Sequence, residues 1–255
     1  MNLESLLAEL RENILHDRSD RISGATDRLW SDATLIRYID EAQKRFARLG
    51  LVLRDGTTDA ATLVTLVEGQ TEYTLHASVL AVISAKFPAD PGDLARAGHS
   101  AFGVFQTPDR MYFDPAQISQ LPAGKPLAYS TDESVSEDED GHRSAVTLRV
   151  YPAPSAAYDA AEIRLRVARL PLDDLTPSTL KASPEIPSVH HIEMLDWAAY
   201  LALRINDHDA GNPGRAHEFR SLFGEHVRQA RNEAMRKMFV PQQWGFGRNG
   251  FSWET

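Results

Sequence analysis

The sequence contains no cysteine. This absence excludes a disulfide scaffold, thiolate zinc sites, iron–sulfur clusters and cysteine nucleophiles. Basic residues are not in excess either, because 27 Lys and Arg stand against 36 Asp and Glu and give a net charge of −9. Proteins that grip nucleic acid through phosphate contacts need the opposite sign. We therefore expect no general nucleic-acid binding.

Long hydrophobic runs are also absent. No window approaches the roughly 18 uninterrupted apolar residues of a membrane-spanning helix, and the first residues lack the basic region and apolar block of a signal peptide. The remaining composition is ordinary, with 42% hydrophobic and 25% charged residues in 255, close to the average for globular proteins. We expect neither membrane association nor export through a signal peptide.

Charge and periodicity divide the chain in the same way. Residues 51–186 hold 11 basic and 19 acidic residues, so they carry −8 of the net −9. Apolar residues recur every three or four positions at both ends, whereas the middle contains short β-prone runs. This pattern predicts an α+β fold with three parts: a helical bundle of residues 1–55 and 186–240, an inserted antiparallel β-rich domain of residues 56–185, and an extended C-terminal arm of residues 241–255.

Two apolar stripes predict helices near the start of the chain. The first consists of Leu3, Leu6, Leu7, Leu10 and Ile14. The second follows a capping Ser31 or Asp32 and is expected to end at Gly50; it consists of Leu35, Ile39, Ala42, Phe46 and Leu49. The opposite face of this second helix is expected to contact water or a neighbouring subunit, and it carries Arg37, Asp40, Glu41, Lys44, Arg45 and Arg48.

Two further helices are predicted near the other end. From Ser188 to Asp207 the side chains are apolar on most faces, as in the central helix of a bundle. Asn212 and Pro213 then provide an N-cap and a first helical proline. They predict a long helix through Met238 whose apolar stripe is Phe219, Phe223, Val227, Ala230, Ala234 and Met238.

The middle of the chain reads as short strands. The β-prone runs are residues 62–67, 72–75, 79–87, 111–113, 145–151 and 162–170. Residues 162–167 alternate charged and apolar side chains, which is typical of a half-exposed antiparallel strand. An acidic segment between the strands is expected to be an exposed loop or hairpin tip; its carboxylates are Asp132, Glu133, Glu137, Asp138, Glu139 and Asp140.

The sequence matches to nucleotide-binding and metal-binding motifs lack the neighbouring elements that such sites require. Residues 245–250 match G-x-G-x-x-G, but no strand precedes them and no helix follows to bind pyrophosphate. His190 and His191 lack a second ligand one helical turn further on, so capping and helix-end hydrogen bonds are favoured over a metal site. No nucleophile elbow or phosphate loop occurs. We expect no enzymatic activity, no cofactor and no metal.

Two stretches carry a resemblance to a known family. Near the start, Trp30, Ser31 and Asp32 lead into the run LIRYIDEAQKRF of residues 35–46. Near the end stand LDWAAYLALR at residues 195–204, DHD at 207–209 and AHEF at 216–219. This pattern resembles the tailed-bacteriophage head-to-tail adaptor proteins, also named connector or head-completion proteins, and the similarity covers residues 27–50 and 188–238.

The resemblance implies an architecture and a location. It implies that the helices of both ends form one bundle and that several copies, usually twelve, form a homo-oligomeric ring beneath the portal protein. The ring would extend the DNA channel, through which DNA passes without specific binding, and would dock a tail tube or nozzle protein. It also implies synthesis in the bacterial host cytoplasm and a place in the neck of the virion. Residues 51–186 depart from the family pattern, because smaller members have a short loop there.

Two surfaces are candidates for contacts in such an assembly. Acidic groups repel phosphates, so the acidic segment from Asp132 to Asp140 is expected to face the channel or the tail. The C-terminal arm combines glycines with five interface-type side chains, Trp244, Phe246, Arg248, Phe251 and Trp253. We expect it to bind the portal or a neighbouring subunit, and the alternative is that its aromatic rings cover the chain's own bundle.

Other functions remain open at the level of sequence. A tail-tube, tail-terminator or collar protein is the main structural alternative, because a dominant β-rich block decorated by helices would suit it. The number of bundle helices distinguishes the two readings. An enzyme of unknown class is the remaining alternative, which the failed motifs disfavour.

Overall fold

The computed structural model describes residues 1–17, 28–87, 103–104, 122–126, 128–132, 146–205 and 211–238. The α-helices are α1 (Leu3–Glu9), α2 (Asp32–Gly50), α3 (Asp59–Thr62), α4 (Leu195–Leu203) and α5 (Pro213–Met238). A π-helical segment, Leu10–Leu15, continues α1. The strands are β1 (Arg54–Asp55), β2 (Leu63–Thr65), β3 (Glu72–Thr74), β4 (Val79–Phe87), β5 (Gly103–Val104), β6 (Ala128–Asp132), β7 (Thr147–Tyr151) and β8 (Glu162–Arg169). Helices and antiparallel sheet together confirm the α+β class.

Helices α1, α2, α4 and α5 make up the helical region, which draws on both ends of the chain. Its hydrophobic core includes Leu3, Leu6, Leu10, Leu35, Ile39, Phe46, Trp197, Leu201, Phe223 and Val227. The rings of Phe46 and Phe223 lie 5.8 Å apart, so the apolar stripe of α2 does contact α5. Helix α4 packs against both α2 and α5, which places it centrally, as its apolar sequence predicts.

Helix α2 begins with the predicted side-chain cap, but it ends differently from the prediction. Ser31 caps its start, where the Thr34 amide donates to Ser31 Oγ at 3.1 Å. Gly50, expected to stop the helix, is its last helical residue, and Leu51 takes the left-handed conformation instead, with φ 51°. A Cβ on Gly50 would lie 3.1 Å from Val52 Cγ1, so the glycine permits close packing. Leu49 was expected to be buried, but it is 39% exposed because it lies beside the buried face rather than on it.

The segment before α4 is not the long helix that the sequence predicts. A 3-10 turn covers Ser188–His190, further turns follow, and α4 begins only at Leu195. The imidazole of buried His191 explains the irregularity: its Nε2 lies 2.9 Å from the Ile186 carbonyl and its Nδ1 lies 3.1 Å from the N-terminal ammonium. These tertiary contacts leave Val189 and Ile192 exposed, at 72% and 56%.

Strands β1 to β8 form the sheet region, in which two antiparallel sheets share one hydrophobic core. One sheet has the order β1-β8-β4-β5, with β2 also paired to β8, and the other has the order β3-β7-β6. Their common core includes Leu66, Tyr73, Leu75, Leu148, Val150, Ile163, Leu165 and Val167. Residues 162–167 of β8 alternate exposed and buried, as predicted.

The remaining sequence predictions for the middle of the chain meet mixed outcomes. Strands β3, β4, β7 and β8 coincide with predicted runs, and β2 covers part of one. Strands β1, β5 and β6 were not predicted, since each lacks a clear alternation. The predicted run at residues 111–113 lies outside the described residues. Within the part of the chain that is described, no helix is long and apolar enough to cross a membrane.

Candidate interaction surfaces

The site residues predicted from the sequence lie mostly beyond the described ranges. Asp132 is the last residue of β6, where its Cα pairs with that of Thr147 on β7. The other acidic-segment carboxylates are in residues 133–140, outside the described residues, and so are Trp244, Phe246, Arg248, Phe251 and Trp253. Exposure of the acidic segment and anchoring by the arm therefore stay predictions.

An arginine–aromatic strip crosses the helical region and consists of Arg45, Trp197, Tyr200, Arg204 and Arg220. The Arg45 guanidinium carbon lies 3.9 Å from the centroid of the Trp197 ring. The Trp197 and Tyr200 centroids are 4.8 Å apart, and the guanidinium carbons of Arg204 and Arg220 lie 5.7 and 5.9 Å from the Tyr200 centroid. The strip is thus continuous over α2, α4 and α5.

Helical spacing explains how the sequence builds this strip. Trp197 and Tyr200 are three residues apart, so they share one face of α4. Trp197 is 8% exposed and Tyr200 is half-buried, which leaves ring faces available to cations at the edge of the core. Arg45 projects from the solvent side of α2. Each contact of this type contributes about 0.5–1 kcal/mol at an exposed position, so the rings hold the guanidinium groups in place.

The cations of the strip have no carboxylate partner within the described ranges. Among the described residues, Arg45, Arg204 and Arg220 form no ion pair, although the chain as a whole carries −9. Lys44, one residue from Arg45, differs: its Nζ lies 2.7 Å from Asp40 Oδ2 and 2.6 Å from Asp174 Oδ1. Burial opposes the charge of Lys44, but these two carboxylates raise its pKa above the ordinary value.

A groove of about 200 Å³ adjoins the strip. It is lined by Glu41, Lys44, Arg45, Arg48, Leu49 and Leu170. The exposed side chain of Leu49 belongs to this groove, which explains how an apolar residue of the stripe comes to face outward. Leu170 follows β8 directly, so the groove brings the end of the sheet region next to α2. Apolar side chains with a charged rim suit a contact with a protein partner.

A buried ion network joins the sheet region to the helical region. Arg169, at the end of β8, donates from Nε to Asp55 Oδ2 and from Nη1 to Glu185 Oε2, both at 2.7 Å. Burial opposes the charge of Asp55, but hydrogen bonds from Thr58, Thr57 and Arg169 hold the pKa of this carboxyl far below its usual range. The amide of Glu185 donates to Gln43 Oε1 at 2.9 Å, which ties the network to α2.

Additional hydrogen bonds fix the same junction. The Arg54 guanidinium donates to the Ala234 carbonyl of α5, and the amide of Leu175 donates to Asp40 Oδ1 at 2.9 Å. The sequence analysis did not find this junction, because its members are single polar residues at separate positions with no common spacing. Charged residues at the ends of an apolar strand, such as Arg169 after Val167, were the one available signal.

Two histidines of the helical region each contact one carboxylate. His190 Nδ1 lies 2.7 Å from Glu193 Oε2 and His226 Nδ1 lies 3.0 Å from Asp196 Oδ2. Burial raises the pKa of the Asp196 carboxyl above its usual value, and the nearby imidazole of His226 opposes this shift. Within the described ranges no three His, Cys, Asp or Glu side chains are grouped as metal ligands.

An acidic tip lies at the start of β8, and the sequence analysis did not single it out. It consists of Val67, Glu68, Asp159 and Glu162. The Glu68 amide donates to Asp159 Oδ1 at 3.1 Å, and the Cα of Glu162 pairs with that of Thr65 on β2. All three acidic residues are exposed, and Val67 is 48% exposed. Among the described residues, none of these carboxylates pairs with a cation.

Comparison with known protein families identifies the family of this chain. Residues 1–244 match the model of a family of phage adaptor proteins, which confirms the resemblance found in the sequence and assigns the chain a structural role in a phage. The family is described as SU10 adaptor protein, and the chain belongs to it. A search of curated proteins returned no match.

Proposed function

We propose that this protein is a head-to-tail adaptor that forms a ring beneath the portal, extends the DNA channel and docks the tail. The observation that carries the proposal is the family match, which spans residues 1–244 of 255. The unpaired arginines and aromatic rings of the helical region support it, because Arg, Trp and Tyr are enriched where interfaces derive most of their binding energy. The protein would then be part of the virion, with portal and tail components as partners.

Mixing the purified protein with portal rings tests the proposal. We expect the two to form a complex whose native mass gives one ring of adaptor per portal, with twelve copies as the count that the resemblance implies. A protein that stays separate from portal at every concentration would contradict the proposal. Self-assembly into long tubes without portal would favour the tail-tube alternative instead.

The division into domains is part of the same proposal. We infer a helical bundle from residues 1–55 and 186–240, an inserted domain of residues 56–185 and an arm from residue 241 onward. The two separate hydrophobic cores support this division. Hydrogen exchange of the full chain should give two groups of amides with different global protection, and a single common protection level would argue for one cooperative unit.

The acidic segment is proposed to face the DNA channel or the tail. Six carboxylates on a channel wall would repel passing phosphates and so keep DNA from binding. Replacing Asp132, Glu133, Glu137, Asp138, Glu139 and Asp140 with their amides should slow DNA ejection. Amide substitution of the exposed α5 residues Glu225 and Glu233 is the control. Ejection at the wild-type rate from the six-amide variant would reject the channel role.

The C-terminal arm is proposed to anchor the protein on portal or on a neighbouring subunit. Deleting residues 242–255 should leave the helical circular dichroism signal unchanged and abolish attachment to portal-containing heads. Sealed heads that still accept tails would contradict the anchor role. Loss of folding in the truncated protein would show that the arm covers its own bundle.

A further inference from the structure

Unpaired charges of opposite sign occupy two separate places in the described structure. The arginine–aromatic strip holds cations without carboxylate partners, and the acidic tip holds carboxylates without cationic partners. The rest of the described surface contains many satisfied pairs, such as Lys44 with Asp174 and Arg164 with Asp59. The strip and the tip are therefore two surfaces of opposite charge in the described structure.

Strand β8 separates the two surfaces within one copy. The tip lies at Glu162, the first residue of β8, whereas Leu170, just after its last residue, lines the groove next to Arg45. Eight residue steps at about 3.3 Å each give a separation of about 26 Å. This separation is far longer than the roughly 4 Å of an ion pair. It also exceeds two Debye lengths, about 20 Å at 0.1 M salt, so the two surfaces are screened from each other. The tip therefore does not neutralise the strip of its own copy.

We propose that the arginine–aromatic strip of one copy receives the acidic tip of the next copy. This inference rests on the proposed ring, because a ring closes through head-to-tail contacts in which each copy contributes two different surfaces. The strip and the tip are two such surfaces with opposite charge. Each copy would use its strip on one side and its tip on the other.

The strip and the tip are complementary in hydrogen bonding and apolar surface as well as in charge. A guanidinium group donates paired N–H bonds to a carboxylate, and the aromatic rings of Trp197 and Tyr200 hold the guanidinium groups in position before binding. Pre-ordered side chains lose less entropy on association. Val67 projects from the tip at 48% exposure, and Leu49 and Leu170 offer apolar surface in the adjoining groove.

Two charge-reversed variants test the contact. The strip variant carries Arg204→Glu and Arg220→Glu, and the tip variant carries Glu68→Arg and Glu162→Arg. Arg45 and Asp159 stay unchanged, because the first stacks on Trp197 and the second accepts the Glu68 amide. Exposed Arg228 and Arg231 on α5 supply the matched control, Arg228→Glu with Arg231→Glu. Circular dichroism first establishes that each variant is folded, and any unfolded variant is replaced by its alanine version.

Native mass of the adaptor bound to portal rings is the readout. Each charge-reversed variant alone should associate more than about 100-fold less tightly than wild type, because like charges then meet at every contact. An equimolar mixture should restore rings in which the two variants alternate, since every strip then meets a tip of opposite sign. The control variant should form rings at the wild-type concentration.

Four other outcomes would overturn the strip–tip contact or the proposed ring, and each shows which of the two has failed. If wild type forms rings and the strip or tip variant does so equally well, the ring stands and this contact is wrong. If both variants fail alone and the mixture also fails, complementary pairing of strip with tip is wrong. If the strip variant loses only duplex-DNA binding while rings persist, the strip binds phosphate. If wild type forms no ring, the proposed function itself fails.

Discussion

The helical region and the sheet region are assembled from the chain in different ways. The helical region joins residues from both ends of the sequence, whereas the sheet region comes from the intervening stretch. That stretch begins and ends at neighbouring positions, because β1 pairs with β8 in the register Arg54 with Ala168 and Asp55 with Val167. A segment whose two ends lie side by side can be inserted with little disturbance of its host. The neighbouring ends of this stretch are compatible with the proposed insertion of the sheet region between the helices.

The two regions also present different surfaces. Aromatic rings at the edge of the helical core hold unpaired arginines, whereas the far end of the sheet region exposes carboxylates around Val67. A charge total of −9 hides this separation. Local charge, and not the total, therefore decides which surface can bind which partner.

The largest expected effect comes from removing the central ring of the helical core. Phe46 is fully buried and its ring lies 5.0 Å from His190 and 5.8 Å from Phe223. Phe46→Ala should lower the free energy of unfolding by about 3–5 kcal/mol. Hydrogen exchange should accelerate in α4 and α5 more than in β8. The counterpart Leu165→Ala in the sheet core should show the reverse order, and equal acceleration everywhere would contradict two separate cores.

The second prediction concerns the junction between the regions. Arg169→Met keeps most of the volume but leaves the buried carboxylate of Asp55 without its cation, which should cost about 3–5 kcal/mol. Calorimetry should then show separate unfolding of the two regions. Arg164→Met removes an exposed pair with Asp59 and should cost less than about 1 kcal/mol. If Arg169→Met left the calorimetric unfolding profile unchanged, contacts other than this ion network would couple the two regions.

Hydrophobic periodicity predicted most helices and strands, because burial on one face repeats with a fixed spacing. The long helix from Pro213 to Met238 and the alternating strand from Glu162 are examples. Periodicity failed where tertiary contacts decide: buried His191 interrupts the predicted helix at Ser188, and Leu51 replaces Gly50 as the left-handed residue. Short strand β6 had no alternation to reveal it.

The interaction surfaces were predictable only in part. The charged face of α2 was expected to contact water or another subunit, and it supplies Arg45 to the strip. Its alignment with Trp197 and Tyr200 requires knowing how α2 and α4 pack, which no sequence spacing within one helix encodes. The acidic tip likewise depends on strand pairing that brings Glu68 beside Asp159.

The third prediction separates the regions by their response to mild acid. Burial and the nearby N-terminal ammonium lower the pKa of His191 below its ordinary value of 6.5. The unfolded chain therefore takes up a proton first as pH falls below about 6.5, and stability decreases from there toward the lower folded pKa. The slope should not exceed about 1.4 kcal/mol per pH unit for this group.

His191→Gln should remove that slope in urea titrations across this pH window, while exposed His217→Gln keeps it. Asp55 and the junction should stay ionised throughout the window, because the pKa of Asp55 is held far lower. Weakening of the helical region should therefore precede any weakening of the junction. An unchanged slope in His191→Gln would assign the acid response to another group.

The smallest expected effect on stability comes from replacing one residue of left-handed conformation in each region with glycine. Leu51 has φ 51° and Ala160 has φ 60°, a left-handed conformation that costs a non-glycine residue about 1 kcal/mol or more. Ala160 is exposed, so Ala160→Gly should relieve the strain without losing packing and raise the free energy of unfolding by about 0.5 kcal/mol. Leu51→Gly gains the same relief but gives up half-buried apolar surface next to α2, so its net change should be closer to zero. Urea denaturation of both variants measures the difference, and a larger gain at Leu51 than at Ala160 would mean that the Leu51 side chain contributes nothing to packing at the end of α2.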